Sequence, residues 1–175
     1  MGYQKSLMHP KEIKEGALFI ADAHYTKKRR TLVHFLDTLL ETPPSQLFLM
    51  GDIFDLLIGD FTYLREENSE LISRINHLSL LCEVYYLEGN HDFRLHNVFE
   101  TITPIAIEHQ PLMIGDIALS HGDNASDVKH QLFTTFIRSK IGLMFIQLVS
   151  LNFIKDRFLK KMVLFLSEKK ICHPF

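Results

Sequence analysis

The sequence has no tryptophan, only two cysteines, and no apolar run long enough to cross a bilayer. Cys82 and Cys172 form neither a CxxC pair nor a dense secreted framework, so both read as ordinary thiols in a reducing compartment. The most hydrophobic window runs from Ile141 to Ile154 and is interrupted by Gln147, Ser150 and Asn152. It falls short of the roughly 20 apolar residues that a transmembrane helix needs. The first ten residues, MGYQKSLMHP, lack the apolar core of a secretory signal, which predicts a cytoplasmic protein. With 8 glycines and 6 prolines the chain is neither collagen-like nor low in complexity. Its 175 residues, 46% hydrophobic and 23% charged, have the composition of one ordinary globular domain.

What is present is a series of apolar runs, each closed by a polar cluster. Ala17 to Ala21 precedes Asp22, Leu47 to Met50 precedes Gly51-Asp52, Val84 to Leu87 precedes Gly89-Asn90, and Ile117 to Leu119 precedes Ser120-His121. They read as buried strands delivering polar residues at their carboxyl ends. Between them, Leu32, Phe35, Leu36, Leu39 and Leu40 keep helical spacing until Pro43-Pro44 forbids continuation. Leu64, Leu71, Ile72, Ile75 and Leu78 predict a second helix, with Glu66 and Glu67 near its start, where negative charge suits the dipole. This alternation is α/β grammar, and ligands of open α/β sheets bind outside the carboxyl ends of the strands. From Pro104 the pattern changes: Ile105 to Ile107 and Leu112 to Leu119 predict a hairpin or consecutive strands turning at Gly115-Asp116, the start of a second sheet. The chain is divided in charge as well. Residues 1–139 carry 12 Lys and Arg against 19 Asp and Glu, whereas residues 140–175 carry 7 against 2. The expected organisation is an α/β core over residues 1–124 followed by a basic helical cap over residues 125–175. The acidic core and the absence of interleaved basic and aromatic residues argue against a nucleic-acid partner.

The polar clusters carry the chemistry. Asp22-Ala23-His24 alone is a common tripeptide, and Gly51-Asp52-Ile53-Phe54-Asp55 says little more. Gly89-Asn90-His91-Asp92 adds an amide, an imidazole and a carboxylate, and Ser120-His121-Gly122-Asp123 adds another imidazole. Four such clusters in order, each at a strand end, point to one convergent site. Asp, His and Asn donors suit Mn²⁺, Fe²⁺ or Zn²⁺ in a mixed oxygen and nitrogen shell. Two such ions bridged by a carboxylate such as Asp52 activate water and stabilise attacking and leaving oxygens in phosphoryl transfer. Six other histidines, His9, His34, His77, His96, His109 and His130, fit no ligand spacing. The 14 phenylalanines predict either an aromatic core or a groove for acyl chains.

Taken together, DxH, GDxxD, GNHD and the histidine of Ser120-His121-Gly122-Asp123 resemble the calcineurin-like metallophosphoesterases. The blocks span Asp22 to Asp123, over half the chain. More narrowly, Gly51 to Asp60, Gly89 to Phe93 and Ser120 to Asp123, followed by a basic apolar segment, look like the UDP-2,3-diacylglucosamine hydrolases of lipid A synthesis. That resemblance implies an αββα sandwich with a C-terminal helical cap and a dimetal centre, most often Mn²⁺, cleaving a pyrophosphate to release UMP and lipid X. It makes Asp22 and His24 ligands of the first metal, Asp52 the bridge, and Asn90 and His121 ligands of the second. His91 becomes the general acid or phosphate contact, oriented by Asp92, with Asp55 and Asp123 supporting the ligands from behind. Lys155, Arg157, Lys160 and Lys161 of the cap would face the phosphates of a nucleotide-linked lipid or an anionic inner-membrane surface, and an oligomer is compatible with this. Three departures accompany the resemblance. The later GHxH block has no counterpart, as His173 has neither its glycine nor its second histidine. This predicts either a chain that stops within or just after the cap, its second sheet incomplete, or ligands borrowed from a partner. Histidine stands at position 91, where the narrower group has arginine. Asn124 to His130 matches that group's acidic and tyrosine pattern poorly. A phosphoesterase with a soluble nucleotide or phosphoprotein substrate, and a catalytically silent interaction module, are the rival readings.

Overall fold

A computed structural model describes residues 10–122. The chain divides into two units, Met1–Asp123 and Asn124–Phe175, and the described residues belong to the first. Asp123 and the expected cap, with Lys155, Arg157, Lys160 and Lys161, lie outside the described residues. In chain order the elements are β1 (Leu18–Ile20), α1 (Thr31–Glu41), β2 (Gln46–Leu49), β3 (Leu57–Ile58), α2 (Thr62–Glu67), α3 (Ser69–Leu81), β4 (Glu83–Tyr86), β5 (Asp92–Phe93), a 3₁₀ turn (Ile107–His109), β6 (Leu112–Ile114) and β7 (Ile117–Leu119).

Strands β1, β2 and β4 form a parallel sheet in that order, with Phe19 opposite Phe48 and Phe48 opposite Tyr85. All four residues of the central strand β2 are buried, as a parallel strand covered on both faces requires. Alternation puts Phe48 on one face and Leu47 and Leu49 on the other. Phe48 stacks between Phe19 and Tyr85 at centroid distances of 4.6 and 5.0 Å. On that side Phe48, Tyr85 and Leu87 pack with Ile105, Leu112 and Ile114, so the hairpin β6–β7 closes over the sheet. Gly115, at φ 58, makes its turn together with Asp116, as the sequence predicts. Ile105 adds one parallel bridge to Leu87, but Ile107 opens the 3₁₀ turn instead of continuing a strand.

The amphipathic helices behave as their spacing requires. Helix α1 buries Leu32, Val33 and Leu36 and stops at Glu41, just before Pro43-Pro44. Helix α3 buries Leu71, Ile72, Ile75 and Leu78, and Arg74 bonds Asp37 of α1 at 2.6 Å. The one helix expected from Leu64 to Leu78 is two. Asn68, buried between them, donates from Nδ2 to the carbonyls of Leu64 (2.8 Å) and Leu56 (3.2 Å). An asparagine side chain competes with helical backbone bonds, and this one breaks the helix. Glu66 and Glu67 therefore close α2, and Glu70 is the acidic residue in the first turn of α3. Phe48, Phe54, Phe61, Phe93 and Phe99 are buried, so these phenylalanines build core. Each fully buried ring of this kind contributes on the order of 2–3 kcal/mol. Among the described residues, no helix is long and apolar enough to cross a membrane.

Candidate metal centre

The loops leaving β1 and β2 are laced together by their backbones. Asp22 N–H donates to the Gly51 carbonyl at 3.2 Å, His24 N–H to Asp52 at 2.9 Å, Tyr25 N–H to Ile53 at 2.8 Å, and Asp55 N–H back to Tyr25 at 3.0 Å. Asp22, His24 and Asp52 all take left-handed φ values of 51°, 44° and 52°. Aspartate and histidine tolerate that region better than most residues, though at some cost. Two glycines make room for the approach. A Cβ on Gly51 would lie 2.7 Å from Nδ1 of His121, and one on Gly89 would lie 2.5 Å from the Asp52 nitrogen. These glycines directly precede Asp52 and Asn90, and their place in the GD and GN pairs is the sequence signal for a crowded site.

Asp52, Asp22, His24, His91, Asn90 and His121 converge at the carboxyl end of the sheet. Ligand atoms of His24, Asp52 and His91 lie within 4.8 Å of one another, and so do those of Asp22, Asp52 and His121. Asp52 belongs to both groups. The grouping cuts across the expected sets, joining His91 with His24 and Asp22 with His121. Asn90 sits between Asp52 and His121, its side-chain oxygen position 3.2 Å from His121 Nε2 and 2.8 Å from each Asp52 oxygen.

Hydrogen bonds at the rear of two of the imidazoles, His91 and His121, fix their tautomers. His91 Nδ1 lies 2.7 Å from the Asp55 carbonyl and His121 Nδ1 lies 2.9 Å from the Met50 carbonyl. A carbonyl only accepts, so each Nδ1 carries a proton and each Nε2 is turned toward the site. His121 Nε2 then faces Asp52 Oδ1 at 3.4 Å, and His24 Nε2 faces Asp52 Oδ2 at 3.8 Å and Asp22 Oδ1 at 3.9 Å. At His121, Nε2 facing the Asp52 carboxylate needs positive charge between them, either a proton on the imidazole or a cation. Asn90 presents the same choice. Turned one way its nitrogen donates to both Asp52 oxygens, and turned the other its oxygen joins theirs around a shared centre. The donor set, three imidazole nitrogens with aspartate and amide oxygens, fits divalent ions that accept mixed ligands. Burial works to raise the Asp52 carboxyl, but the His121 hydrogen bond and the positive charge of His121 and His91 outweigh it and hold Asp52 at about 2.

Asp92 takes a different place from the one expected. Its Oδ1 accepts from the N–H groups of Asp52 (3.0 Å) and Gly89 (2.9 Å), and its Oδ2 from Ile53 (2.7 Å), Phe54 (3.2 Å) and the Tyr86 hydroxyl (2.6 Å). These bonds occupy the carboxylate in holding the β2 and β4 loops together, so the orientation of the His91 ring falls to the Asp55 carbonyl. Complete burial and then the charge of Asp52 push the Asp92 carboxyl up to about 7, against the pull of Tyr86 and the backbone donors. Tyr86, equally buried, is raised well above its ordinary value by burial and by Asp92. Asp55 meets His91 through its backbone carbonyl, while its carboxylate meets Arg29 at 3.4 Å.

A profile of the calcineurin-like phosphoesterase family matches residues 17–168. The chain belongs to the calcineurin-like phosphoesterases. Curated relatives of this family member include the UDP-2,3-diacylglucosamine hydrolase of Coxiella burnetii (strain RSA 331 / Henzerling II), 30% identical over 125 residues, which are 66% of this chain and 51% of that protein. The enzyme of the same name from Haemophilus ducreyi is 31% identical over 137 residues, covering 70% and 56%. That of Tolumonas auensis is 38% identical over 87 residues, covering 45% and 33%. This phosphoesterase chain thus spans about half the length of the Coxiella relative. Family membership agrees with the α/β architecture and implies divalent metal ions.

Proposed function

We propose that this chain carries the dimetal centre of a phosphoester hydrolase, and that its substrate is the pyrophosphate of UDP-2,3-diacylglucosamine, cleaved to UMP and lipid X. The observation that carries the reading is the sharing of Asp52 between two groups of ligand atoms. In this reading Asp22 and His24 would hold one ion and Asn90 and His121 the other, with Asp52 available to both. Bound divalent ions, Mn²⁺ in this reading, would activate water and neutralise charge developing on the phosphoryl oxygens.

The chain's own residues do the rest. The Met50 carbonyl holds His121, and the Asp55 carbonyl holds His91, each with Nε2 inward, which fixes the orientation of both rings. His91 N–H donates to Asp52 Oδ1 at 3.0 Å, tying the bridging carboxylate to the neighbouring loop. His91 Nε2, positioned beside His24 and Asp52, carries a proton to the leaving oxygen, which departs as a phosphomonoester. The substrate class is supported by the shared name of the relatives and by the basic segment 140–175, which would meet an anionic lipid surface at the inner membrane.

The test is metal content per chain after Mn²⁺ loading, with turnover of an aryl phosphodiester and of UDP-2,3-diacylglucosamine in detergent on the same sample. Two ions per chain with release of UMP are expected. Hydrolysis of soluble nucleotides at equal or greater rate would replace the lipid substrate. Fewer than two ions with no turnover would leave an interaction module.

A further inference from the structure

The run Lys27-Lys28-Arg29-Arg30 follows His24 by three residues and is exposed throughout. It forms a tight turn in which Arg29 N–H donates to the Thr26 carbonyl at 2.9 Å and to the Thr26 hydroxyl at 3.1 Å. The turn is held from both sides. Before it, Tyr25 is buried, bridges Phe54, and donates its hydroxyl to Glu70 Oε2 at 3.2 Å. After it, Arg30 bonds Glu70 Oε1 at 2.5 Å, and Arg29 reaches Asp55, the residue whose carbonyl holds His91. Two of the four cations are therefore committed to the frame. The other two, Lys27 and Lys28, stand at the tip with no acidic partner among the described residues.

Four adjacent like charges repel, and a turn meant only for solubility has no need to fix them. Here the frame fixes the tip beside a site rich in carboxylates. The Cα of Lys27 is within about 11 Å of that of His24, three residues away, and a lysine side chain extends several ångströms further. Other described cations are engaged elsewhere: Arg65 with Thr62, Arg74 with Asp37, Arg94 with Asp60. Lys14 bonds Glu83 at the amino end of the sheet, and Lys11 lies at that end too, beside Glu12, whose carbonyl holds the first residue of β2.

We infer that Lys27 and Lys28 bind the second anionic group of a two-phosphate substrate, the phosphate next to the one under attack, and so select pyrophosphate esters over single phosphoesters. This rests on the hydrolase reading above. Ions at the strand ends would serve the attacked phosphate, and the flexible, strongly hydrated lysine ammoniums suit its neighbour as movable point charges.

The experiment compares the full chain with K27Q/K28Q and K27R/K28R. Its readout is the ratio of kcat/KM for UDP-glucose, a soluble pyrophosphate ester, to that for bis(4-nitrophenyl) phosphate. The ratio is expected to fall about tenfold or more in K27Q/K28Q, the loss of charged hydrogen bonds at an exposed site, and to be largely kept in K27R/K28R. An unchanged ratio overturns the inference. So does a glutamine variant that keeps the ratio while losing co-sedimentation with phosphatidylglycerol vesicles, which would make the turn a membrane contact. If the wild-type chain hydrolyses neither ester, the hydrolase reading fails by itself, and calorimetric binding of UDP against UMP decides the inference. A preference for UDP lost in K27Q/K28Q upholds it, and equal preference in both proteins overturns it.

Discussion

The three parallel strands carry a polar network at each end, and the two are opposite in kind. At the amino ends Glu83 accepts from Lys14 Nζ at 2.5 Å, Gln46 Nε2 at 2.8 Å and the Tyr85 hydroxyl at 3.0 Å. The bonds from Lys14 and Gln46 hold its carboxyl at about 2. Every donor there meets an acceptor. At the carboxyl ends the Asn90 amide and Nε2 of His24 and His121 crowd at 2.8 to 3.8 Å around the Asp52 carboxylate, which burial would raise but the hydrogen bond and positive charge of His121 hold low. The first network pairs one carboxylate with ordinary donors and stabilises the fold, whereas the second gathers carboxylate, amide and imidazole groups of the kind that divalent ions bind.

The contrast breaks most completely at Asp52. Asp52→Ala is expected to lose metal binding and turnover together, read by metal content and aryl phosphodiester hydrolysis; retention of both metals would remove Asp52 from the bridge. Asp92→Ala should damage the frame instead, because four N–H groups and the Tyr86 hydroxyl lose their acceptor. The expected cost is about 3–5 kcal/mol of stability, measured by the denaturant midpoint. His91→Ala should keep its metal content and slow turnover by roughly 10²-fold. A rate near that of the wild type would take the ring out of proton transfer, and loss of metal would make it a ligand, as its grouping with His24 and Asp52 allows.

The smallest effect belongs to the amino end. Glu83 has a folded value near 2 against an ordinary 4.5, so its contribution is complete above 4.5 and is lost as pH falls toward 2. Its side chain is 43% exposed, so after solvent screening the contribution is about 1 kcal/mol. In Glu83→Gln that increment of acid sensitivity should vanish, as followed by thermal midpoints across the same pH range.

Much of this was readable in advance because burial and chemistry coincide in the chain. Apolar runs ending in Asp22, Asp52 and Asn90 mark β1, β2 and β4 and deliver those residues to one edge, since a parallel sheet puts all its carboxyl ends together, whereas His121 follows β7 of the antiparallel hairpin. Asn68 was not legible as a breaker, because its competition with the helix depends on the Leu56 carbonyl, twelve residues upstream. The support of His91 was hidden for a related reason. Its partner is a backbone carbonyl, which has no letter in the sequence, while the adjacent Asp92 looks like the natural partner but is turned into the loops. The frame of the basic turn at Lys27 to Arg30 was hidden as well, because Glu70 and Asp55, which hold Arg30 and Arg29, stand 40 and 26 residues further along the chain.

The left-handed backbone at Asp22, His24 and Asp52 has an evolutionary consequence. Glycine would relax each position, so a lineage selected for thermal robustness alone would drift toward glycine there and erase its own chemistry. Persistence of aspartate and histidine at those three conformations would then be a record of selection acting on the reaction and against the comfort of the chain.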